Sequence, residues 1–251
     1  MTKSSIGRTQ LKLVDDLVNH YTENRHLFEV LLRAVETSVS SSKKLQPPLI
    51  HSTKARLKDP DHLRYKLVRK IRKAQEEGKG FDINIKNLFS KINDLAGFRI
   101  IHLHTTQFEE INQELKKICN EQAWVVQEGP IARSWDDEYR DYFRQIKVDV
   151  NDSPDFYTSV HYVIKANSTN PVTCEIQVRT LMEEVWGEVN HTINYPDKSK
   201  SFSCREQIKV LARVTSSSSR LVDSIFSTYS EFNSKLEVPK KLKPARKSSG
   251  K

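Results

Sequence analysis

The sequence lacks the features that mark membrane proteins and secreted proteins. It contains no run of about 18 apolar residues, so no transmembrane helix is expected. The N-terminus has no apolar signal-peptide core. Cysteine is scarce: the 3 cysteines lie far apart and form no CxxC pair, which is typical of reduced thiols and argues against a disulfide framework or a zinc site. We therefore expect a cytoplasmic protein without membrane association.

Several motifs of nucleotide-binding and hydrolytic enzymes are also missing. Neither GxxxxGK[ST] nor GxGxxG occurs, so a P-loop or a Rossmann site finds no support. The sequence contains no His-Asp dipeptide of the kind that hydrolases use for metal binding, and no internal repeat.

Positive charge is concentrated at the C-terminus. The formal net charge of the chain is +9. Residues 235–251 hold seven Lys or Arg and one Glu, so they account for +6 of it. This segment is poor in apolar residues and is expected to be disordered, either as a solubilising tail or as a contact for RNA or an acidic partner. The basic cluster between Lys54 and Lys79 is the better place to look for anionic ligands.

Hydrophobic periodicity predicts helices at both ends of the chain and alternating helices and strands between them. Residues 129–142 are polar and are predicted to form a loop. Four regions follow: an N-terminal helical extension (1–44), a central domain (45–200), a C-terminal helix (201–234) and the basic tail (235–251). Helices are predicted over 9–37, 59–77, 106–121, 180–194 and 204–233, and strands over 98–103, 124–127, 145–150, 158–166 and 173–179.

Two of the predicted strands carry an unusual polar face. Side chains alternate between the faces of a strand, so Glu175, Gln177 and Arg179 share one face. A second strand presents Tyr157, Ser159 and His161 in the same way. This composition is typical of the floor of a polar site.

Carboxylates and cations in these regions indicate phosphate chemistry. Asp94, just before a strand, and Glu175 in another strand could together hold Mg²⁺, which binds one or two carboxylates plus substrate phosphate oxygens. Phosphoryl transfer also needs cationic side chains for the phosphates. The candidates are Arg56, Lys58, Lys66, Arg99 and Arg179.

Four sequence blocks are spread over roughly residues 45–200. They are Arg56-Leu57-Lys58 with Lys66 (R-x-K), Asp94 to Arg99 (D-[IL]-x-G-x-R), Tyr157 to His161 (Y-x-S-x-H), and Glu175 to Thr180 (E-[VI]-Q-[IV]-R-T), the last followed by Trp186 to His191 (W-x-x-x-[EN]-H). In this order the blocks resemble the RelA/SpoT-homology (p)ppGpp synthetase family. The length is similar to that of the short, single-domain members.

The resemblance implies a GTP pyrophosphokinase, which moves pyrophosphate from ATP to the 3′-hydroxyl of GDP or GTP. The fold it implies is α+β of the nucleotidyltransferase type: a mixed sheet flanked by helices, with N- and C-terminal helical extensions. It assigns Mg²⁺ and catalysis to Asp94 and Glu175, the latter as a second ligand or as the base. It assigns ATP to Arg56, Lys58, Lys66 and Arg99, and the acceptor to Tyr157, Ser159, His161, Gln177, Arg179 and His191.

The segment before Tyr157 departs from the family pattern. Where the family often has a Lys-Pro-Asn-Gly-like turn, this chain has Ser153-Pro154-Asp155-Phe156 and so lacks the lysine that would meet the acceptor's phosphates. Arg144 or Lys147 could take its place, or the polar loop could admit a larger acceptor. His62 stands where the family commonly has a small hydroxyl residue.

Three hypotheses for the function remain open. The first is synthesis of (p)ppGpp, and the second is pyrophosphorylation of another 3′-hydroxyl such as the end of tRNA. The third is a non-catalytic nucleotide- or RNA-binding module, against which the complete set of carboxylates and arginines argues. Short family members often assemble through terminal helices. The helix after Cys204 could serve a homo-oligomer in this way or pack on its own core.

Overall fold

The structure is a computed structural model that describes residues 6–153, 155–169, 171–196 and 198–236. Most of the predicted basic tail lies outside these residues. The helices are α1 (Arg8–Glu23), α2 (Arg25–Ser41), α3 (Pro60–Glu76), α4 (Leu88–Lys91), α5 (Gln107–Glu121), α6 (Asp137–Gln145), α7 (Leu181–Asn194) and α8 (Phe202–Leu236). The strands are β1 (Ser52–Leu57), β2 (Ala96–His102), β3 (Val125–Ser134), β4 (Asp149–Asp152), β5 (Ser159–Lys165) and β6 (Thr173–Thr180).

The strands form one mixed sheet in the order β1-β2-β6-β5-β3-β4. The central pair, β2 and β6, is parallel, whereas β6 runs antiparallel to β5 and β2 runs antiparallel to β1. The polar faces predicted for β5 and β6 therefore lie side by side, with His161 opposite Gln177. This arrangement confirms the predicted α+β class with a mixed sheet flanked by helices.

The core lies between the sheet and the helices that cover it. Apolar residues of the sheet and of α1, α2, α3 and α5 form one buried cluster, in which Phe28, Leu67 and Phe98 are almost fully buried. A smaller cluster of Trp186, Ile208 and Ala212 joins α7 to α8. The N-terminal helices thus share the core of the sheet. No helix among the described residues is long and apolar enough to cross a membrane.

Local signals explain where α3 begins. The Asp59 carboxylate accepts hydrogen bonds from the backbone N–H groups of Asp61 and His62, and Pro60 occupies the first helical position. Both features stabilise a helix N-terminus.

The prediction of a loop over residues 129–142 was wrong. Strand β3 continues to Ser134, and α6 follows directly, capped by the Asp136 side chain. Tyr139 and Phe143, four residues apart, bury the apolar face of α6. The single helix predicted over 9–37 is two helices that meet at Asn24.

The sequence patterns also missed the edge strand β1. Its residues are half-buried or exposed, so it carries little of the alternating hydrophobicity that reveals a strand. Its pairing with β2 places Arg56 opposite Gly97.

Candidate functional site

A cleft of about 850 Å³ opens over the polar face of the sheet. Its wall is built from β1, β2 and β6 on one side and from α7 and the start of α8 on the other. Both predicted carboxylates, Asp94 and Glu175, line it. A volume in this range is at the upper end of small-molecule sites and suits more than one small ligand.

Asp94 is held by two lysines at one end of the cleft. Its Oδ2 lies 2.8 Å from Lys58 Nζ and its Oδ1 lies 2.7 Å from Lys66 Nζ. Burial raises the pKa of Asp94, but the two ammonium groups outweigh this effect and lower the pKa to about 2. The carboxyl group is therefore ionised at neutral pH.

A tyrosine of α1 fixes the backbone next to Asp94 and at Lys58. The Tyr21 hydroxyl donates to the Lys58 carbonyl at 2.7 Å and is 3.3 Å from the Leu95 carbonyl. One buried tyrosine thus joins the end of β1 to the residue that follows Asp94.

Glu175 is held by neighbours on β5 and β6. His161 Nδ1 lies 3.0 Å from Glu175 Oε1, and Gln177 Nε2 donates to Oε2 at 2.9 Å. Burial raises the pKa of Glu175, but the hydrogen bond and charge of His161 overcome it, so the net shift is downward. Because an ionised carboxylate only accepts hydrogen bonds, Nδ1 of His161 carries the proton.

A third carboxylate, Glu184 on α7, organises the cations in the middle of the cleft. It accepts from Lys54 Nζ at 2.7 Å, from Arg99 Nη1 at 2.9 and 3.0 Å, and from Arg179 Nε at 2.7 Å. Its side chain is only 6% exposed. Burial raises the pKa of Glu184, but the three cations lower it to about 2. The more exposed Glu188 adds a contact of 2.8 Å to Arg99.

Close packing over Arg179 requires a residue without a side chain on α7. A Cβ built on Gly187 would lie 2.5 Å from Arg179 Nη1. At Gly187, helix α7 therefore lies against the guanidinium without displacing it.

Aromatic rings form the far wall of the cleft. The Tyr157 ring lies 5.6 Å from the His161 ring and 6.4 Å from Trp186, and the guanidinium carbon of Arg179 is 5.9 Å from its centroid. Burial raises the pKa of the Tyr157 hydroxyl. The ring is thus held in place by neighbours on both sides while still lining the cleft.

A second aromatic group lies at the opposite end. His191 stacks on Tyr195 with 4.6 Å between ring centroids, and His62 meets Tyr195 edge-on at 4.9 Å. Burial and the nearby Arg56 lower the pKa of His191. Arg56 and Arg69 line this end and make no ion pair among the described residues.

Most of the residues singled out from the sequence converge on this cleft. Those that line it are Arg56, Asp94, Arg99, Tyr157, Glu175, Gln177, Arg179 and His191. Lys58 and Lys66 reach it through Asp94, and His161 reaches it through Glu175. Ser159 lies apart: it is buried, and its hydroxyl donates to the Val178 carbonyl at 3.4 Å.

Sequence reasoning missed part of the charged lining. Lys54 precedes Arg56 by two residues, and the strand period could have revealed it. Glu184 showed no signal, because an acidic residue on an amphipathic helix usually faces solvent. Arg205 and Lys209 come from α8, far along the chain, and also line the cleft.

The residues present fit a magnesium ion. The two carboxylates are hard oxygen donors: both are held ionised, and both line the same cleft. The described residues contain no cluster of three or more potential metal ligands. A site with two carboxylates that leaves the other positions to substrate oxygens matches the way Mg²⁺ is bound with phosphates.

Comparison with known proteins places this cleft in a family context. The family model described as the region found in RelA / SpoT proteins matches residues 55–200. The chain is 29% identical over 151 residues to the GTP pyrophosphokinase YwaC of Bacillus subtilis (strain 168). That match covers 58% of this chain and 59% of the relative, so it spans less than two thirds of the relative's length.

Solved structures share the fold at low identity. The small alarmone synthetase 1 from Bacillus subtilis superposes with a TM-score of 0.57 at 16% identity, covering 86% of this chain and 99% of that one. The same enzyme bound to its product pppGpp gives a TM-score of 0.59 at 16% identity, over 83% and 98% of the two chains. A GTP pyrophosphokinase family protein from Streptococcus pneumoniae gives 0.54 at 17% identity, over 86% and 94%.

Proposed function

Because the chain belongs to the RelA/SpoT family, we propose that it transfers pyrophosphate from ATP to the 3′-hydroxyl of GDP or GTP and so makes (p)ppGpp. One observation carries the proposal: two ionised carboxylates, Asp94 and Glu175, line one cleft that is also rich in arginine and lysine. Phosphoryl transfer depends mainly on such positioning and on neutralising phosphate charge. The name of the relative, GTP pyrophosphokinase, supports the same reaction.

We assign ATP to the end of the cleft formed by β1 and α3. Arg56 is exposed and has no carboxylate partner among the described residues, so its guanidinium is free for phosphate or for stacking on adenine. Lys58 and Lys66 already lie beside Asp94 and would transfer their hydrogen bonds to phosphate oxygens. Arg99 would contact the donor phosphates from the middle of the cleft.

We assign the acceptor to the end formed by β5, β6 and α7. Tyr157 offers a ring for stacking on guanine, and Gln177 offers an amide beside it. Arg179 would meet phosphate or ribose oxygens next to Tyr157. His191 stacks on Tyr195 at the opposite end, near Arg56, so a role for it in the acceptor site has less support. His161 supports Glu175, and a role for Ser159 in the acceptor site has less support because its hydroxyl is bonded to Val178.

Asp94 and Glu175 would hold Mg²⁺, which neutralises charge on the transferred group when it is bound. The downward shift of the pKa of Glu175 bears on whether this residue acts as a base or as a metal ligand. A general base works best with a pKa near the working pH, and hydrogen bonding by His161 moves the pKa of Glu175 downward despite burial. This favours metal ligation by Glu175 over proton abstraction.

A labelling experiment tests the reaction. The protein is incubated with Mg²⁺ and ATP labelled at the γ-phosphate, together with GDP, GTP or deacylated tRNA in separate reactions. We expect label on GDP or GTP, lost when EDTA removes the metal. Label on tRNA alone would replace the assignment with the second hypothesis, and no transfer to any acceptor would favour a binding module.

Two matched variants test the carboxylates. Asp94→Asn and Glu175→Gln keep size and remove charge, and each should lower transfer by about 100-fold or more. The control is Asp141→Asn on α6, whose side chain is 67% exposed and outside the cleft. Equal activity of all three variants would contradict the assignment.

We also propose that the chain forms a homo-oligomer through α8. One face of this helix exposes apolar residues at intervals of three, four or seven over a length of about 33 Å. They are Val210, Val214, Leu221, Ile225, Tyr229 and Phe232, all more than half exposed. Light scattering of the wild type and of Ile225→Glu should give a larger assembly and a smaller one, respectively; a wild-type monomer would refute the proposal.

A further inference from the structure

The loop before Tyr157 brings no cation to the acceptor end of the cleft. Asp155 is acidic, and the Phe156 ring packs on Trp135, with 4.9 Å between ring centroids. Neither substitute suggested by the sequence lines the cleft: Arg144 pairs with Asp141 at 2.8 Å on the surface of α6, and Lys147 is exposed. The acceptor's 5′-phosphates therefore need cations from elsewhere.

The start of α8 packs beside Tyr157 at this end of the cleft. Trp186 Nε1 donates to the Ile208 carbonyl at 3.1 Å, and Tyr157 packs on the cluster that Trp186 forms with Ile208. Residues three or four apart share one face of a helix. Arg205 and Lys209 are four residues apart and share a face in this way, and both line the same cleft as Tyr157.

These two cations are less neutralised than those in the middle of the cleft. Arg205 is half-buried and donates to the Ser199 carbonyl at 2.7 Å, with no carboxylate partner among the described residues. Lys209 pairs with Glu206 on its own helix at 2.6 Å, and both side chains are nearly half exposed. Surface pairs of this kind are weak, so a phosphate can displace the carboxylate. Arg99 and Arg179, by contrast, are bound to Glu184.

The sheet order separates this end from the donor end. Arg56 belongs to the edge strand β1, whereas Tyr157 leads into β5, on the other side of β2 and β6. We propose that Arg205 and Lys209 bind the 5′-phosphates of the acceptor nucleotide whose base lies on Tyr157. The chemical class is a nucleoside 5′-diphosphate or 5′-triphosphate, and the guanidinium of Arg205 suits bidentate binding of phosphate. This inference rests on the proposed function.

The double variant Arg205→Gln/Lys209→Gln tests the inference, because glutamine keeps the helix propensity. The matched control is Lys235→Gln, an exposed cation at the other end of α8. We expect the KM for GDP to rise about tenfold in the double variant, with little change for ATP. The KM for GMP, which has fewer phosphate groups, should change less, and circular dichroism should show an unchanged melting curve.

Binding of GDP without ATP, measured by calorimetry, separates this inference from the proposed function. If the wild type transfers pyrophosphate but the double variant keeps the wild-type KM and affinity for GDP, only the inference is overturned. A rise in the KM for ATP alone would also overturn it, since the cations would then serve the donor. If the wild type transfers no pyrophosphate but binds GDP more tightly than the double variant does, the phosphate site at Arg205 and Lys209 is supported and the proposed reaction is overturned. If the wild type does not bind GDP, the phosphate site and the proposed reaction are both overturned.

Discussion

Glu184→Gln should damage both the stability and the activity of the protein. The carboxylate is nearly fully buried and neutralises Lys54, Arg99 and Arg179. Glutamine keeps the shape and one acceptor oxygen but leaves these cations to repel each other. Removing one partner of a buried ion pair costs about 3–5 kcal/mol. With one acceptor retained we expect the lower end of this range, about 3 kcal/mol, which lowers Tm by about 6–12 °C in a chain of this size.

The effect on catalysis follows from the same contacts. Arg99 and Arg179 lose the group that fixes their guanidinium planes, and a misplacement of about 1 Å can cost about 100-fold in rate. The rate of pyrophosphate transfer at saturating ATP should therefore fall about 100-fold in Glu184→Gln. The matched control is Glu188→Gln, which also touches Arg99 but is 53% exposed. Glu188→Gln should lower the free energy of unfolding by less than about 1 kcal/mol.

The pH dependence gives an independent check on Glu184. Its pKa in the folded protein is about 2, against an ordinary value of 4.5, because three cations outweigh the effect of burial. Because this pKa is lower in the folded state than in the unfolded state, ionised Glu184 adds to the free energy of unfolding above pH 4.5. This contribution is lost as the pH falls toward 2. Urea unfolding should therefore show a steeper acid loss for the wild type than for Glu184→Gln. If Glu184→Gln and Glu188→Gln unfold at the same urea concentration at pH 7, the reasoning is refuted.

Three further variants test other contacts. Glu183→Gln should stabilise the protein increasingly from pH 5 to pH 8, because burial raises the pKa of Glu183 to about 8 and the folded state resists ionisation in that window. Gly187→Ala should displace Arg179 and lower transfer about tenfold. Tyr21→Phe should cost about 1–2 kcal/mol and raise the KM for ATP, since it frees the carbonyl of Lys58.

Each of these variants has a control and a result that would count against it. Gly80→Ala meets no atom within 4 Å and should leave activity unchanged; a similar loss there would remove the explanation given for Gly187. Tyr65→Phe, at a residue 50% exposed, should leave the KM for ATP at the wild-type value. For Glu183→Gln, a difference in Tm from the wild type that stays constant between pH 5 and pH 8 would show that the carboxyl group does not titrate there.

The sequence predicted the floor of the site better than its walls. The alternation around Glu175 and His161 was readable because a strand has a side-chain period of two, and the structure pairs these strands as expected. The edge strand β1 was missed because its exposed residues show no such contrast. The division into regions 1–44, 45–200, 201–234 and 235–251 stays a prediction, as do the roles of the individual site residues.

Contacts between distant elements account for what the sequence could not reveal. Glu184 lies 130 residues from Lys54 and 85 from Arg99, so no local pattern joins them. The capping role of Asp136 was visible in principle, but the loop prediction failed because polar composition outweighed the spacing of Tyr139 and Phe143. Long-range pairing is decided by the folded core rather than by any short segment.

The distribution of charge along the cleft explains how two anionic nucleotides could share it. The central arginines are matched by Glu184 and Glu188, so they present directed hydrogen bonds with little net positive charge. Arg56 and Arg205, one at each end, have no carboxylate partner among the described residues. Cations that are not neutralised attract phosphate most strongly. An acceptor that places its 5′-phosphates toward Arg205 would keep them apart from the donor phosphates near Lys58 and Lys66, which favours binding donor and acceptor at the same time.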